Sequence, residues 1–212
     1  GSPWSIRYSS TESGGVGLGT ALDADDQETL YTVGRSRPGV KATIRDNEGH
    51  PVSSGEVGEI WLQSDAMMQG YWNDPHSTAE TIVNGWLKTG DLAYQDDRGC
   101  FNLAGRTSEM FIRGGYNVFP LEVEKTISTH PKVSEIALIP RNDEVMGEIG
   151  VAVIVPVDEN DPPTLESLRQ HAQNQLATYK LPEAIRIIDK LPRNTSDKVD
   201  RLQLRKGENR NK

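Results

Sequence analysis

The sequence predicts an α+β fold in two parts, a β-rich part followed by a small domain in which helices alternate with strands. Strand patterns separated by turn signals fill the chain up to Ala104, and helix patterns alternate with strand patterns only after Gly105. A hydrophobic fraction of 35% with 20 Gly and 12 Pro in 212 residues is typical of a turn-rich globular protein. We therefore expect two domains, 1–104 and 105–212, joined near residues 106–108.

The first part contains two predicted hairpins. Turn signals at Asp46–Gly49 and Asp96–Gly99 each separate two strand patterns with alternating or β-branched residues. Between the hairpins, Asp74–Val83 reads as a short helix, because Asp74 suits the N-cap and Pro75 suits the first helical position. The four strands are Val40–Ile44, Gly58–Gln63, Leu87–Tyr94 and Cys100–Ala104.

The second part alternates helices with strands. Pro120–Thr129 places Val123 and Ile127 four residues apart on one helix face, and Thr164–Leu176 is a second helix capped by Thr164. We expect these helices to cover one face of the sheet. Strands are predicted at Ser134–Pro140, Gly150–Val157 and Ala184–Ile188. The basic tail Lys198–Lys212 is expected to be solvated or frayed.

Composition excludes several classes of function. The formal charge of −8 and the pI near 5.1 disfavour a nucleic-acid or anionic-membrane surface. No apolar run approaches the ~20 residues of a membrane span and no signal-type segment opens the chain, so the cytoplasm is the expected location. The single Cys100 excludes an internal disulfide and is expected to be a buried thiol. Gly14–Gly19 lacks the strand-to-helix context of a phosphate loop, so we expect a flexible connection.

Four motifs stand in a characteristic order. They are RYSSTESGG (Arg7–Gly15), GWLKTGDLAY (Gly85–Tyr94), GRTSEMFIRGGYNVFPLEVE (Gly105–Glu124) and LPRNTSDK (Leu191–Lys198). The last motif places a lysine after turn-forming polar residues, where an extended ammonium can reach a bound anion. Together the motifs resemble the C-terminal portion of the adenylate-forming acyl-CoA synthetases. That superfamily also includes luciferases and the adenylation domains of peptide synthetases.

The resemblance implies a two-step enzyme that uses ATP, Mg²⁺ and CoA. A carboxylic acid is first converted to an acyl adenylate and then transferred to CoA. By the same resemblance, the β-rich part ends a large N-terminal domain, and the second part is a small mobile C-terminal domain. The family's TSGTTG-like phosphate loop and most of its acyl pocket are not found in this sequence, so we expect the chain to be a fragment that is inactive alone.

Two alternatives stay open at this point. The first is adenylation without CoA, as in a luciferase, an acyl-AMP ligase or a peptide-synthetase domain. The second is a noncatalytic module that keeps the fold. The sequence assigns neither the acid, whether fatty, aryl or short-chain, nor the oligomeric state.

Six residues match the family's nucleotide-binding positions. In the first motif, the resemblance implies that Tyr8 lies against adenine, that the Thr11 hydroxyl binds phosphate and that Glu12 holds Mg²⁺. A hard carboxylate oxygen suits Mg²⁺, which prefers one or two carboxylates together with phosphate oxygens. The other three positions are Asp91 and Arg106, which would hold the ribose hydroxyls, and Leu103, which would pack near the nucleotide.

The remaining matches concern the CoA channel, the catalytic lysine and the domain movement. Gly114, Gly115 and Tyr116 fall in the loop that lines the CoA channel in similar synthetases, and Lys198 matches the catalytic lysine of the adenylation step. Ser108 stands at the hinge, where the family usually has Asp or Lys. Asp197 precedes the lysine where the family usually has Gly. Because of this second departure, the lysine loop is expected to differ from the family in its conformation or in the rate of adenylation that it supports.

Overall fold

The structure is a computed structural model that describes residues 4–208. The chain forms two compact units, Gly1–Ser108 and Glu109–Lys212, called here the first and second units. Helices and antiparallel strands are present in both, so the predicted α+β class is confirmed. The hinge role of Ser108 stays a prediction. Within the described residues, no helix combines the length and the apolar character that crossing a membrane requires.

Residues 4–108 of the first unit form two sheets and two short helices. The smaller sheet has three strands, β1 (Arg7–Tyr8), β2 (Leu18–Gly19) and β3 (Arg35–Ser36). The larger sheet has five strands, β4 (Lys41–Arg45), β5 (Gly58–Gln63), β6 (Ile82–Val83), β7 (Trp86–Gln95) and β8 (Phe101–Arg106). Its order is β4-β5-β7-β6, with β8 also paired to β7. The helices are α1 (Asp26–Tyr31) and α2 (Pro75–Thr81).

The structure confirms both predicted hairpin turns and corrects two other expectations. The second turn joins β7 directly to β8, and the first lies between β4 and β5, which pair antiparallel. Helix α2 starts as predicted, with the Asp74 side chain accepting from the Ser77 N–H, but it ends at Thr81 because Ile82–Val83 pairs with β7. We expected Gly14–Gly19 to be a flexible connection. This expectation was wrong for the last two residues, which form β2, because the fully buried Leu18 anchors this segment in the core.

The second unit is built on a five-stranded sheet. Its strands are β9 (Phe111–Arg113), β10 (Tyr116–Val118), β11 (Val133–Asp143), β12 (Gly147–Pro156) and β13 (Ala184–Ile187). The order is β10-β9-β12-β11, with β13 parallel beside β12. The helices are α3 (Pro120–Ile127), α4 (Leu165–Ala172) and α5 (Arg201–Glu208), with a 3₁₀ turn at Thr178–Lys180. Both α3 and α4 end earlier than predicted, although Thr164 does cap α4.

Both faces of the β11–β12 hairpin are covered. Leu138 and Ala152 belong to a core with α3 and α4, whereas the alternate residues Ile139 and Val151 pack in a second core with Leu204 of α5. The expectation that helices cover one face was therefore too narrow. Burial on both faces explains the nearly continuous apolar run of β12. The basic tail is likewise helical from Arg201 to Glu208, which corrects the expected frayed terminus; residues 209–212 lie outside the described residues.

Limited trypsin digestion tests the division between the units. Arg106, Thr107 and Ser108 are all exposed, so we expect early cleavage after Arg106 and persistence of the piece that follows. Arg113 is a matched control, because its side chain is only 19% exposed, whereas that of Arg106 is 56% exposed. Mass spectrometry of a time course identifies the cuts. An initial cut inside Pro120–Ile127 would contradict the boundary.

Candidate active site

The TGD segment of β7 forms a bulge that aims Asp91. Opposite β5 the pairing skips from Glu59–Leu92 to Trp61–Lys88, so the segment is out of regular register. Gly90 adopts φ +72, a conformation that glycine takes at little cost. The Thr89 hydroxyl donates to the carbonyl of Ile60 and accepts from the Asp91 N–H. Bulges of this kind re-aim side chains next to sites, and here the carboxylate of Asp91 is the group that is positioned.

Asp91 is the centre of a three-residue cluster. Its Oδ2 accepts a hydrogen bond from the Tyr8 hydroxyl at 2.7 Å, and its Oδ1 lies 2.9 Å from Nε of Arg106, the residue opposite it on β8. Burial raises the pKa of Tyr8 well above its ordinary value, and the charge of Asp91 adds to this shift, so the hydroxyl stays a donor. A carboxylate has about four acceptor positions, so Asp91 can still accept from a vicinal diol.

Leu103 lies on the same face of β8 as Arg106. Residues three apart normally point to opposite faces of a strand. Here the register shifts between the pairs Leu92–Gly105 and Ala93–Leu103, and this irregularity restores the common face. Both side chains are exposed. Leu103 thus provides an exposed apolar side chain on the face of β8 that carries Arg106.

Thr11 and Glu12 lie in the turn after β1. Thr11 is exposed, and Glu12 Oε1 accepts a hydrogen bond from the Tyr71 hydroxyl at 3.0 Å. Bonding to its own backbone N–H, together with the hydroxyls of Tyr71 and Ser10, holds the pKa of Glu12 below its ordinary value. Its carboxylate is therefore ionised near neutral pH. Within residues 4–208, no three His, Cys, Asp or Glu side chains form a metal-binding group.

Lys198 follows a loop that is held by its own polar side chain. Asn194 Oδ1 accepts hydrogen bonds at 3.0 Å from the N–H groups of Ser196 and Lys198. Asp197 adopts φ +59, the left-handed conformation that a glycine at this position takes more easily. Its carboxylate lies 3.9 Å from Nε of Arg193. The exposed Lys198 side chain forms no ion pair with any of residues 4–208, so its ammonium can meet an incoming anion.

The Gly114–Gly115 turn connects β9 to β10. Gly114 and Gly115 have φ of +55 and +87, and the Gly114 N–H donates to the Met146 carbonyl at 2.8 Å. Tyr116 is exposed, and its ring stacks on Tyr179 with centroids 4.7 Å apart. The turn therefore presents backbone next to an aromatic pair.

The glycine turn and the lysine loop lie near opposite ends of β11. Met146 is on the connection that follows Asp143, whereas Arg193 of the lysine loop is bound to Glu135 at 2.6 Å. Glu135 and Asp143 are eight positions apart on β11, which corresponds to about 27 Å of strand. One small unit thus carries the two candidate catalytic elements far apart.

Only some of the predicted site residues contact one another. Direct contacts join Tyr8, Asp91 and Arg106, while Glu12 is linked to Arg106 only by charge and Thr11 shares the turn of Glu12. The roles of these residues, and those of the second unit, stay predictions. Sequence reasoning missed Tyr71, which reaches Glu12 across 59 positions. No local pattern marks such a contact.

Comparison with known proteins identifies two matching domains. The AMP-binding enzyme family matches residues 3–72, and the AMP-binding enzyme C-terminal domain matches residues 122–198. Indoleacetate–CoA ligase of Aromatoleum aromaticum is 36% identical over 93% of this chain and 38% of its own length. Fatty acid–[acyl-carrier-protein] ligase ScoC of Streptomyces coeruleorubidus has the same identity and coverage.

A solved structure gives the same result. The crystal structure of ATP-bound MatB from Rhodopseudomonas palustris superposes with a TM-score of 0.87 and 32% identity over 96% of this chain and 40% of that one. The chain thus spans well under half the length of the proteins it resembles. The two family matches, the order of the four motifs and this superposition agree. The chain belongs to the AMP-binding, adenylate-forming enzyme superfamily.

Proposed function

We propose that this chain is the C-terminal part of an ATP-dependent acid–CoA ligase. The observation that carries the proposal is the cluster of Tyr8, Asp91 and Arg106, in which a positioned carboxylate keeps acceptor positions for a ribose diol. Within the proposal, Leu103 borders the nucleotide and Thr11 binds its phosphate. Because the reaction consumes ATP and CoA, we place it in the cytoplasm.

The first proposed step is adenylation. A carboxylate oxygen of the acid attacks the α-phosphorus of ATP, the bond to pyrophosphate breaks, and an acyl adenylate forms. Both reactants are anionic, so the step needs positive charge and close positioning. Lys198 supplies a mobile ammonium, and its freedom from ion pairs within residues 4–208 supports this role. The backbone at Asp197 bears a conformational cost that a glycine avoids.

Glu12 fits a role as a magnesium ligand. Its pKa lies below the ordinary value and its oxygen is a hard ligand, as Mg²⁺ requires. A single carboxylate is sufficient where nucleotide phosphates complete the coordination. The metal would supply charge neutralisation at the phosphates. Tyr71 would hold the Glu12 carboxylate in place through its 3.0 Å hydrogen bond.

The second proposed step is thioester formation. The sulfur of CoA attacks the acyl carbonyl carbon, the bond to the phosphate oxygen breaks, and AMP leaves. The Gly114–Gly115 turn and Tyr116 would border the path of the thiol, with exposed backbone and an aromatic surface. Since the turn and Lys198 lie near opposite ends of β11, the second unit would serve the two steps in two orientations, with Ser108 as the hinge.

A carrier protein is the second candidate acceptor. ScoC, with the same identity and coverage as the indoleacetate–CoA ligase, is named for transfer of a fatty acid to an acyl-carrier protein. The exposed glycine turn is compatible with a pantetheine thiol from either source. The named relatives act on different acids, so the acid is left unassigned.

Pyrophosphate release by the full-length protein tests the proposal. We expect release with ATP, Mg²⁺ and at least one acid from a panel of fatty, aryl and short-chain carboxylic acids. Adding CoA, or a carrier protein that bears a free phosphopantetheine thiol, to the active reaction identifies the acceptor. This 212-residue chain alone is the control, and we expect it to be silent because proximity catalysis needs both reactants held. No nucleotide binding and no release with any acid would favour a noncatalytic module instead.

A further inference from the structure

Arg201 holds together several parts of the second unit. It begins α5, three residues after Lys198, and its side chain is 21% exposed. Its Nη1 and Nη2 donate to the two carboxylate oxygens of Glu124 at 2.7 and 2.9 Å, and Nη1 also donates to the Leu138 carbonyl at 3.0 Å. Its Nε lies 3.2 Å from a carboxylate oxygen of Glu109. Each of the three guanidinium nitrogens thus has at least one partner.

The partners of Arg201 are fixed in the fold. Glu124 is buried on α3, and its Oε1 also accepts from the Leu138 N–H of β11 at 2.6 Å. Glu109 is the first residue of the second unit. Two carboxylates face one guanidinium, so its loss leaves a buried negative charge unpaired. One side chain therefore ties α5 to α3, to β11 and to the start of the unit.

Arg201 also adjoins the C-terminal end of the lysine loop, called here its root. The loop is closed by hydrogen bonds of 2.8 Å from the Asp200 N–H to the Pro192 carbonyl and from the Asn194 N–H to the Lys198 carbonyl. Arg201 directly follows Asp200, so a shift of its backbone moves the end of the loop. Lysine at position 201 would keep the charge but lose the planar fork that binds Glu124 through two nitrogens.

We propose that Arg201 is a positioning residue for adenylation, which holds the root of the Lys198 loop through Glu124 and Glu109. This inference rests on the proposed function of Lys198. Displacement of a catalytic group by about 1 Å can cost up to roughly 10²-fold in rate. Arg201 touches neither substrate nor nucleotide in this role. Its effect is exerted entirely through the placement of the ammonium.

Single-turnover kinetics of the full-length enzyme test the proposal. We expect Arg201→Lys to slow acyl-adenylate formation by roughly tenfold or more, with the KM for ATP unchanged, because only placement of the ammonium is lost. Thioester formation from supplied acyl adenylate should stay close to the parent rate. Arg205→Lys makes the same chemical change on the same helix and should alter neither step. If Arg201→Lys does not fold, Glu109→Gln replaces it, since it removes the charge of one partner and keeps the Glu124 pair.

A double-mutant cycle separates positioning from general stability. In a Lys198→Ala background, Arg201→Lys should give no further loss of adenylation, because the group it positions is gone. An additive loss, or an equal loss in both steps, overturns the role of Arg201 and leaves the proposed function standing. If Lys198→Ala itself leaves adenylation unchanged, the proposed function of the lysine fails and the Arg201 inference fails with it.

Discussion

Replacement of Lys198 by alanine in the full-length enzyme is expected to slow acyl-adenylate formation by roughly 10²-fold or more, the scale of losing one preorganised electrostatic group. The exposed ammonium has no ion-pair partner among residues 4–208, so the substitution removes a charge without breaking a described ion pair. Thioester formation from supplied acyl adenylate should survive, because that step starts after pyrophosphate has left. Rapid-quench measurement of each half-reaction gives the two rates.

Lys206→Ala is the matched control for this change. Lys206 is also exposed and lies on the following helix, so its loss removes the same charge from the same region. We expect both half-reactions to keep their parent rates in this variant. Equal impairment of the two steps by Lys198→Ala would mean that the lysine does not act specifically in adenylation.

Much of the fold could be predicted because local rules agree with the tertiary structure. The Asp96–Gly99 turn joins β7 to β8, and Asp74 caps α2, as their residue types require. Element ends were harder to place. Ile82 fits the apolar pattern of a helix, yet it pairs with Leu87 of β7, and that pairing is decided by contacts outside the segment.

Helix α5, which covers the second face of the β11–β12 hairpin, was not predicted for a different reason. Composition marks residues 198–212 as basic and polar, which predicts a solvated tail. The buried Leu204 side chain, the ion pair of Arg201 with Glu124 and the hydrogen bonds from Arg186 to the Leu204 carbonyl hold α5 against the sheet. Such a helix has little propensity signal, because its stability comes from packing against a sheet formed elsewhere in the sequence.

The site was predicted by motif resemblance, and its geometry required the structure. Tyr8 and Asp91 are 83 positions apart, and their hydrogen bond depends on the bulge at Gly90. The periodicity of the sequence carries no information on this hydrogen bond or on the bulge. The same holds for Arg201 and Glu124, separated by 77 positions. The sequence therefore identified Tyr8 and Asp91 as candidates but not Arg201 or Glu124, and the distances and partners of all four came from the fold.

The Gly115→Leu variant of the full-length enzyme is expected to behave oppositely to Lys198→Ala. A Cβ built on Gly115 meets no atom within 4 Å apart from its chain neighbours, so a leucine side chain would begin in open space and project from the turn. In the proposed thioester step this projection would obstruct the thiol path. We expect loss of thioester formation by roughly 10²-fold, the scale of misplaced reactants. Pyrophosphate release should persist, since Thr11, Glu12 and Asp91 are untouched.

Gly115→Ala distinguishes obstruction from backbone strain. The native φ of +87 is unfavourable for any residue with a Cβ, so alanine and leucine share this conformational cost. Alanine lacks the side chain that would enter the thiol path. Thioester formation in the alanine variant should therefore stay much closer to the parent rate than in the leucine variant. Equal losses in the two variants would assign the effect to the backbone, and retention of thioester formation by Gly115→Leu would remove this turn from the thiol path.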